Sequence, residues 1–178
     1  CNLTTSNIHG IDDNFKKLMP KREKDSHKGD YGRIGILGGS EGMAGSVYMS
    51  SLAAMRTGAG LTYIIAPKSI SDVLQIKANE QIILPISSNN FTYENQIIKE
   101  IDDYIKDLDV IAIGPGMGKG NDLYKLIAHI LNSFMGDIII DADGINAICK
   151  DLSIIKDIDN IVLTPHLMEF SRLSGLSI

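Results

Sequence analysis

The 178-residue sequence has no tryptophan and only two cysteines, Cys1 and Cys149. Two such distant cysteines form neither a CxxC pair nor a metal-ligand pattern, which argues against a disulfide framework and favours a reducing, cytoplasmic compartment. A long apolar run is also missing, so no membrane span is expected. The N-terminus lacks the apolar core of a signal peptide. Because the sequence begins with Cys rather than Met, we take it to be a piece of a longer polypeptide or a processed chain.

An excess of positive charge is equally missing, since 17 Lys and Arg face 22 Asp and Glu for a net charge of −5. No global field therefore favours nucleic acid or an anionic membrane as a partner. With 44% hydrophobic and 22% charged residues, the composition is that of a globular domain large enough for a substantial core. Residues 1–16 are polar and read as a linker or tail, and the domain is expected over 17–178.

From residue 33 onward, short apolar runs alternate with segments of helical periodicity. The predicted strands are 34–37, 61–66, 81–85, 109–113, 137–140 and 161–163, and the predicted helices are 45–59, 69–76, 93–108, 123–134, 144–148 and 167–174. Near-continuous apolar strands that alternate with helices are typical of a parallel sheet covered on both faces. The sequence therefore predicts an α/β domain.

Clusters of Gly, Pro, Asp and His follow four of the predicted strands directly. These clusters are residues 38–45, 114–118, 141–146 and 164–169. Ligands of open parallel sheets bind outside the carboxyl ends of the strands, so we expect all four clusters to converge at one edge of the sheet. That convergence is better evidence for a site than any single cluster.

The glycine-rich loops match neither of two familiar nucleotide motifs. They do not spell GxGxxG, and Gly118-Lys119 is followed by Gly120 rather than by Ser or Thr, which excludes a Walker A motif. A dehydrogenase fingerprint and a P-loop NTPase are thus disfavoured. Two readings stay open: the glycines turn the chain from strand to helix, or they let the backbone approach a phosphate or sugar closely.

The third cluster holds two carboxylates and an amide. Asp141 and Asp143 could bind a metal, position a hydroxyl or cap the next helix, and capping is expected for Asp143 because 144–148 looks helical. Asn146 would lie one turn into that helix and face the same cleft. We take Asp141 and Asn146 as candidate substrate-binding residues.

The fourth cluster is centred on a histidine. His166 lies in a loop at a strand end beside the other clusters, which favours a binding role over a purely structural one. Glu169 is expected to form a capping arrangement with His166 or with Thr164. His9 and His129 are predicted to be surface residues.

Taken together, six ordered motifs resemble the NAD(P)H-hydrate dehydratase family over about residues 17–178. They are HKGDYGR at 27–33, GGS at 38–40, AMRTGAGL at 54–61, IGPGMG at 113–118, DADGINA at 141–147 and LTPHLMEF at 163–170. The resemblance implies a ribokinase-like three-layer α/β/α fold with a mainly parallel central sheet. It also places this domain in some members as the C-terminal part of a bifunctional repair enzyme, behind a fused epimerase domain.

The resemblance implies a repair reaction in which ATP or ADP drives dehydration of the S epimer of hydrated NADH or NADPH. The ring hydroxyl is phosphorylated and phosphate then leaves, while Mg²⁺ neutralises the nucleotide phosphates. The implied substrate contacts are the segment Ala44-Gly45-Ser46, the turn that contains Gly114 and Gly116, and His166.

Two departures from the family pattern affect these expectations. Leu167 and Met168 stand where the family usually has a Pro and one further residue before the Glu. The family's Lys-Gly nucleotide loop and its Gly-Gly-Thr-Gly-Asp motif, which carries the expected catalytic base, do not occur before Ile178. No catalytic residue or metal ligand is therefore assigned, and this C-terminally incomplete domain is expected to be inactive alone, with one side of its sheet uncovered.

Two other functions remain as alternatives. One is a vitamin-precursor or sugar kinase of the same superfold, since fold does not fix function. The other is an inactive nucleotide-binding module. The segment at 27–29 and the TPHxxE stretch at 164–169 favour the dehydratase. A homo-oligomer is expected because the helix at 45–59 carries small and apolar residues on several faces.

Overall fold

The computed structural model describes residues 23–120 and 122–177, so the predicted tail at 1–16 and His9 lie outside the described part. Within it, the chain forms one six-stranded sheet in which every pairing is parallel. The strands are β1 (Arg33–Leu37), β2 (Leu61–Pro67), β3 (Ile82–Ile86), β4 (Val110–Ile113), β5 (Asp137–Ile140) and β6 (Ile161–Leu163). Their order across the sheet is β3-β2-β1-β4-β5-β6.

Helices connect these strands and cover both faces of the sheet. They are α1 (Ala44–Thr57), α2 (Ser71–Lys77), α3 (Asn95–Ile105), α4 (Leu123–Ser133), α5 (Asp143–Ile148) and α6 (Leu167–Ser174). Short 3₁₀ turns at Lys28–Tyr31, Lys68–Ile70 and Leu152–Ile155 complete the described elements. The predicted α/β domain with a parallel central sheet is confirmed, and the ends of the predicted elements shift by three residues or fewer.

The two faces of the sheet build two separate apolar clusters. Along β1 and β2, Leu37 and Ile65 point to the larger cluster with α3, α4 and α5, whereas Ile36 and Ile64 point to the smaller cluster with α1 and α2. This alternation follows from the two-residue period of a strand, and burial on both faces explains why the strands read as continuous apolar runs. The result is three layers with the sheet in the middle.

The β6 edge of the sheet leaves large apolar side chains exposed. The edge strand β6 leaves the side chain of Val162 56% exposed, and Leu167 at the start of α6 is 65% exposed. An apolar edge strand of this kind presents unpaired backbone groups and a surface that other chain segments can cover.

The prediction that His129 is a surface residue is wrong. Its side chain is only 27% exposed, and its Nε2 lies 2.9 Å from Asp102 Oδ1, so the pair joins α4 to α3. The ring of Tyr93 meets the imidazole edge-on at a centroid distance of 6.5 Å. The prediction failed because the partner carboxylate is 27 residues away in sequence.

Among the described residues, no helix is both long and apolar enough to cross a membrane.

Candidate functional site

The four predicted clusters do converge, because β1, β4, β5 and β6 are consecutive neighbours in the sheet. The loops after β1 and β4 are bonded directly to each other. The amide of Gly39 donates to the carbonyl of Pro115 at 2.8 Å, and Ser40 Oγ donates to the carbonyl of Gly116 at 2.9 Å. The carboxyl ends of these strands therefore form one continuous edge, as parallel-sheet sites require.

At Gly114, backbone conformation and packing together explain the glycine. Its φ of 122° lies in a region that side chains rarely adopt, and a Cβ at this position would collide with the carbonyl oxygen of Asp141. The loop after β4 can thus lie against the loop after β5 only if residue 114 is glycine. At this position the glycine serves to turn the chain after the strand, the first of the two interpretations given above.

Gly45 differs, because neither its backbone angle nor its packing requires glycine. It is the second residue of α1, and a Cβ built on it would meet nothing within 4 Å. Met43, which precedes the helix, makes no side-chain capping hydrogen bond. In the first turn the amide of Ser46 donates to the carbonyl of Met43 at 3.2 Å, so Ala44 and Gly45 are left to present open backbone N–H groups at the positive end of a 14-residue helix. This turn fits the reading in which the backbone approaches a ligand closely.

The Ala44–Ser46 turn and the loop after β4 face each other. A Cβ at Gly116 would lie 3.0 Å from Cβ of Ser46 and 3.1 Å from Cβ of Met43. The substrate-contact residues implied by the resemblance on α1 and on the β4 loop are therefore neighbours, with open space above Gly45.

The prediction that Asp143 caps α5 is wrong. The helix begins at Asp143 itself, Ala142 is the N-cap residue, and no side chain caps it. The Asp143 carboxylate instead accepts a hydrogen bond from the amide of Gly118 at 2.8 Å. Asp143 is the first helical residue and not the N-cap, and its carboxylate binds the loop after β4 rather than its own helix end. Asp141 accepts a bond from Thr164 Oγ1 at 2.8 Å, which ties β5 to the loop after β6.

Between the two aspartates, Ala142 adopts a strained backbone with φ 48° and ψ −118°. It is the one non-glycine residue with positive φ in the described ranges, and such a conformation costs on the order of 1–3 kcal/mol. Backbone bonds hold it there, since Asp141 N donates to Ile113 O at 3.0 Å and Gly144 N donates to Asp141 O at 2.9 Å. No sequence signal marks this strain, because alanine has no preference for that region.

His166 and Glu169 form the expected capping box at the start of α6. His166 Nδ1 accepts from the amides of Met168 at 3.1 Å and Glu169 at 3.4 Å, and Glu169 Oε2 accepts from the amide of His166 at 3.0 Å. Because Nδ1 accepts, the bonding pattern assigns the neutral ring's proton to Nε2, which lies 3.2 Å from Glu169 Oε1.

Both ring nitrogens of His166 are thus engaged, although its side chain is 63% exposed. The predicted capping partner His166 is confirmed, while Thr164 bonds to Asp141 instead. The binding role of His166 stays a prediction, and the free surface of the imidazole is its ring face.

Asn146 lies on the exposed side of α5 and is held by Arg172 of α6, whose Nη1 donates to Asn146 Oδ1 at 2.6 Å. Beside this pair is a cavity of about 510 Å³, which we call the α5–α6 cavity; its polar side chains belong to Lys119, Asp143, Asn146, Lys150 and Arg172. Sequence reasoning missed Lys150 and Arg172, because they lie on or after helices and not in a strand-end cluster.

A second cavity of about 460 Å³ lies on the other side of the loop after β4. It is lined by Asn90 and Thr92, which precede α3, and by Asp122, which precedes α4. We call it the α3–α4 cavity. Gly118, Lys119 and Gly120 line both cavities. The site is therefore wider than the four predicted clusters indicate. Lys119, between two glycines, is the lysine that borders both cavities.

Two observations limit the chemistry that the described residues supply. Burial raises the pKa of the Cys149 thiol above its ordinary value, and Glu169 raises it further while Arg172 opposes the shift. A thiol held protonated in this way is a poor nucleophile. No group of three or more His, Cys, Asp or Glu side chains in residues 23–120 and 122–177 could hold a metal ion.

Comparison with known sequences agrees with this geometry. The sequence model of NAD(P)H-hydrate dehydratases matches residues 34–178. The chain is 32% identical over 164 residues to an ATP-dependent (S)-NAD(P)H-hydrate dehydratase of Drosophila melanogaster, covering 90% of this chain and 53% of that protein. It is 31% identical over 162 residues to a bifunctional NAD(P)H-hydrate repair enzyme of Moorella thermoacetica, covering 90% and 31%. The chain thus spans about half the length, or less, of the relatives it matches.

Solved structures show the same fold. A ribokinase-like superfamily protein from Enterococcus faecalis superposes with a TM-score of 0.77 at 27% identity, over 89% of this chain and 54% of that one. The ADP/ATP-dependent NAD(P)H-hydrate dehydratase of Bacillus subtilis, co-crystallised with ATP and Mg²⁺, gives a TM-score of 0.65 at 28% identity, over 88% and 52%. The fold is ribokinase-like α/β, and the chain belongs to the NAD(P)H-hydrate dehydratase family.

Proposed function

We propose that the full-length protein containing this chain dehydrates the S epimer of hydrated NADH or NADPH, driven by ATP or ADP. The observation that carries the proposal is the open first turn of α1 at Gly45, which faces the Gly116 turn in a chain of this family. A helix turn without a side chain gives a ligand close access to backbone N–H groups.

In this function, the chain's own residues bind and orient the hydrated nicotinamide. Ala44 and Gly45 offer backbone donors, Ser46 lies beside them in the same turn, and Gly116 shapes the opposite wall. Asp141 and Asn146 are fixed by Thr164 and Arg172, so they lie in set positions at the same sheet edge. Holding the reacting ring in one geometry lowers the entropic part of the barrier.

The nucleotide supplies the phosphoryl group that turns a poor leaving group into a good one. The Bacillus subtilis relative was crystallised with ATP and Mg²⁺, which supports both as partners here. The described residues do not fit a protein-held metal centre. Mg²⁺ commonly keeps most of its waters and binds through substrate phosphates, so no such centre is required.

Two further proposals concern the whole protein. The bifunctional Moorella thermoacetica relative, of which this chain covers 31%, supports a fused epimerase domain in the full-length protein. Homo-oligomerisation and cytoplasmic location stay predictions; analytical ultracentrifugation that shows only monomer contradicts the first. The kinase alternative is not favoured, because the relatives are named as dehydratases.

The test is an assay on the full-length protein. Chemically hydrated NADH or NADPH is mixed with Mg²⁺ and either ATP or ADP, and recovery of the nicotinamide absorbance is followed. We expect nucleotide-dependent recovery from the S epimer alone. The proposed function is refuted if the nicotinamide absorbance recovers neither with ATP nor with ADP, in a protein whose melting curve shows that it is folded. The isolated 178-residue chain is run beside it, and we expect it to be inactive.

A further inference from the structure

The α5–α6 cavity collects positive charge in a protein whose net charge is −5. Lys119, Lys150 and Arg172 come from three different elements and line the same space of about 510 Å³. The one carboxylate among its described lining residues is Asp143. That carboxylate already accepts the Gly118 amide at 2.8 Å, so it is directed at the loop.

These three cations have no acidic partner among the residues that the structure describes, where no carboxylate comes within 4.0 Å of their nitrogens. Lysines elsewhere do find one, as Lys106 does with Asp103 at 3.3 Å and Lys125 with Asp122 at 3.6 Å. Arg172 donates instead to the neutral amide of Asn146 at 2.6 Å, which fixes the guanidinium without neutralising it. An arginine fixed by a neutral partner keeps further N–H donors for an anion.

We propose that the α5–α6 cavity binds a phosphate group of a nucleotide substrate through Lys119, Lys150 and Arg172. A phosphate suits this set because its several oxygens can accept from a planar guanidinium and from two ammonium groups together. The choice of a nucleotide as the source rests on the proposed function. Three phosphates qualify: the pyrophosphate of either hydrated dinucleotide, the 2′-phosphate of hydrated NADPH, and the phosphates of ATP.

Lys150 is the residue through which the subsite can be tested cleanly. It lies in the turn after α5 and lines the α5–α6 cavity only, whereas Lys119 also lines the α3–α4 cavity. It is exposed and makes no ion pair with any described residue, so its replacement leaves the fold intact. Lys156, also exposed, lines neither cavity and provides a control with the same charge change.

The experiment compares Lys150→Gln and Lys156→Gln in the full-length protein, with kcat and KM measured for hydrated NADH, hydrated NADPH and ATP. We expect Lys150→Gln to raise one or more KM values about tenfold, the loss of one charge-assisted hydrogen bond, with kcat unchanged. An effect on hydrated NADPH alone identifies the 2′-phosphate. An equal effect on both dinucleotides identifies the pyrophosphate, and an effect on ATP alone identifies its phosphates. Lys156→Gln is expected to match the wild type.

A binding measurement separates this inference from the proposed function. Calorimetry with inorganic pyrophosphate, NADH and NADPH needs no turnover, so a protein that fails the dehydratase assay can still show the site. Weaker binding by Lys150→Gln than by Lys156→Gln supports the subsite, whatever the enzyme assay gives. The inference is overturned if the double variant Lys119→Gln/Lys150→Gln keeps every KM and every binding constant of the wild type. It is also overturned if Lys150→Gln and the control Lys156→Gln weaken binding equally.

Discussion

Replacing Gly45 with alanine should raise the free energy of unfolding and lower kcat/KM, two effects that seldom occur together. Gly45 is the second residue of α1, its φ is not positive, and a Cβ there meets nothing within 4 Å. Gly45→Ala therefore adds no clash, and it lowers the backbone entropy of the unfolded chain. Substitutions of this kind raise the free energy of unfolding by about 0.4–1 kcal/mol.

The same methyl group occupies the space that the proposed substrate needs above the first turn of α1. Crowding of a well-fitted contact costs about 1–3 kcal/mol, which corresponds to a fall in kcat/KM of roughly 5- to 150-fold. The bulkier Gly45→Leu should lower it further while the protein remains folded. Ala53→Leu adds bulk at an exposed position of the same helix and serves as the control.

Urea denaturation and the hydrated-NADH assay, run on the same preparations of full-length protein, check both halves of this prediction. A Gly45→Ala protein that is more stable and equally active shows that the open turn is not a ligand contact. A protein that loses stability shows that a side chain at residue 45 does meet neighbouring atoms. Only a gain of stability together with a loss of activity is consistent with a ligand contact at Gly45.

Three further predictions concern residues whose roles the structure defines. Ala142→Gly should raise the free energy of unfolding by about 1 kcal/mol in urea titration, because relief of roughly 1–3 kcal/mol of strain exceeds the entropic cost of glycine; a net loss refutes the strain. His166→Ala should lower it by about 1 kcal/mol through loss of the cap of α6, whereas His166→Asn, a better capping residue, should restore it; equal stability of the two variants contradicts this role. Cys149 should react with iodoacetamide more slowly at pH 8 than a free thiol does, because its pKa is raised by burial; peptide-resolved mass spectrometry gives the rate, and a rate equal to that of a free thiol excludes the shift.

The sequence predicted the fold well, because its strongest signals are local. The six apolar runs are the six strands of the sheet. Turn residues marked the ends of these strands, and four of the loops that begin there converge at one edge of the sheet. Contacts across long sequence separations could not be predicted in the same way. Asp143 binds Gly118, 25 residues away, while the local capping rule named the wrong partner.

The candidate site was predicted only where it follows strand ends. Lys150 and Arg172 belong to the site by virtue of how α5 and α6 pack, and each alone reads as an ordinary surface cation. The strain at Ala142 depends on backbone bonds to β4 and to the start of α5, so no residue preference predicts it. The capping box at His166 and Glu169 was predictable because both partners lie within four residues.

The strand order also has a consequence for how the chain folds. β1 is paired on one side with β2, which follows it closely in sequence. On its other side it is paired with β4, so Ile34 can pair with Val110 only after β4 has been synthesised. During synthesis, β1 therefore keeps one unpaired apolar edge while the intervening 75 residues emerge from the ribosome. Pairings of such long separation slow folding and leave early intermediates open to aggregation. We expect ribosome-associated chaperones to bind this chain chiefly before β4 has emerged.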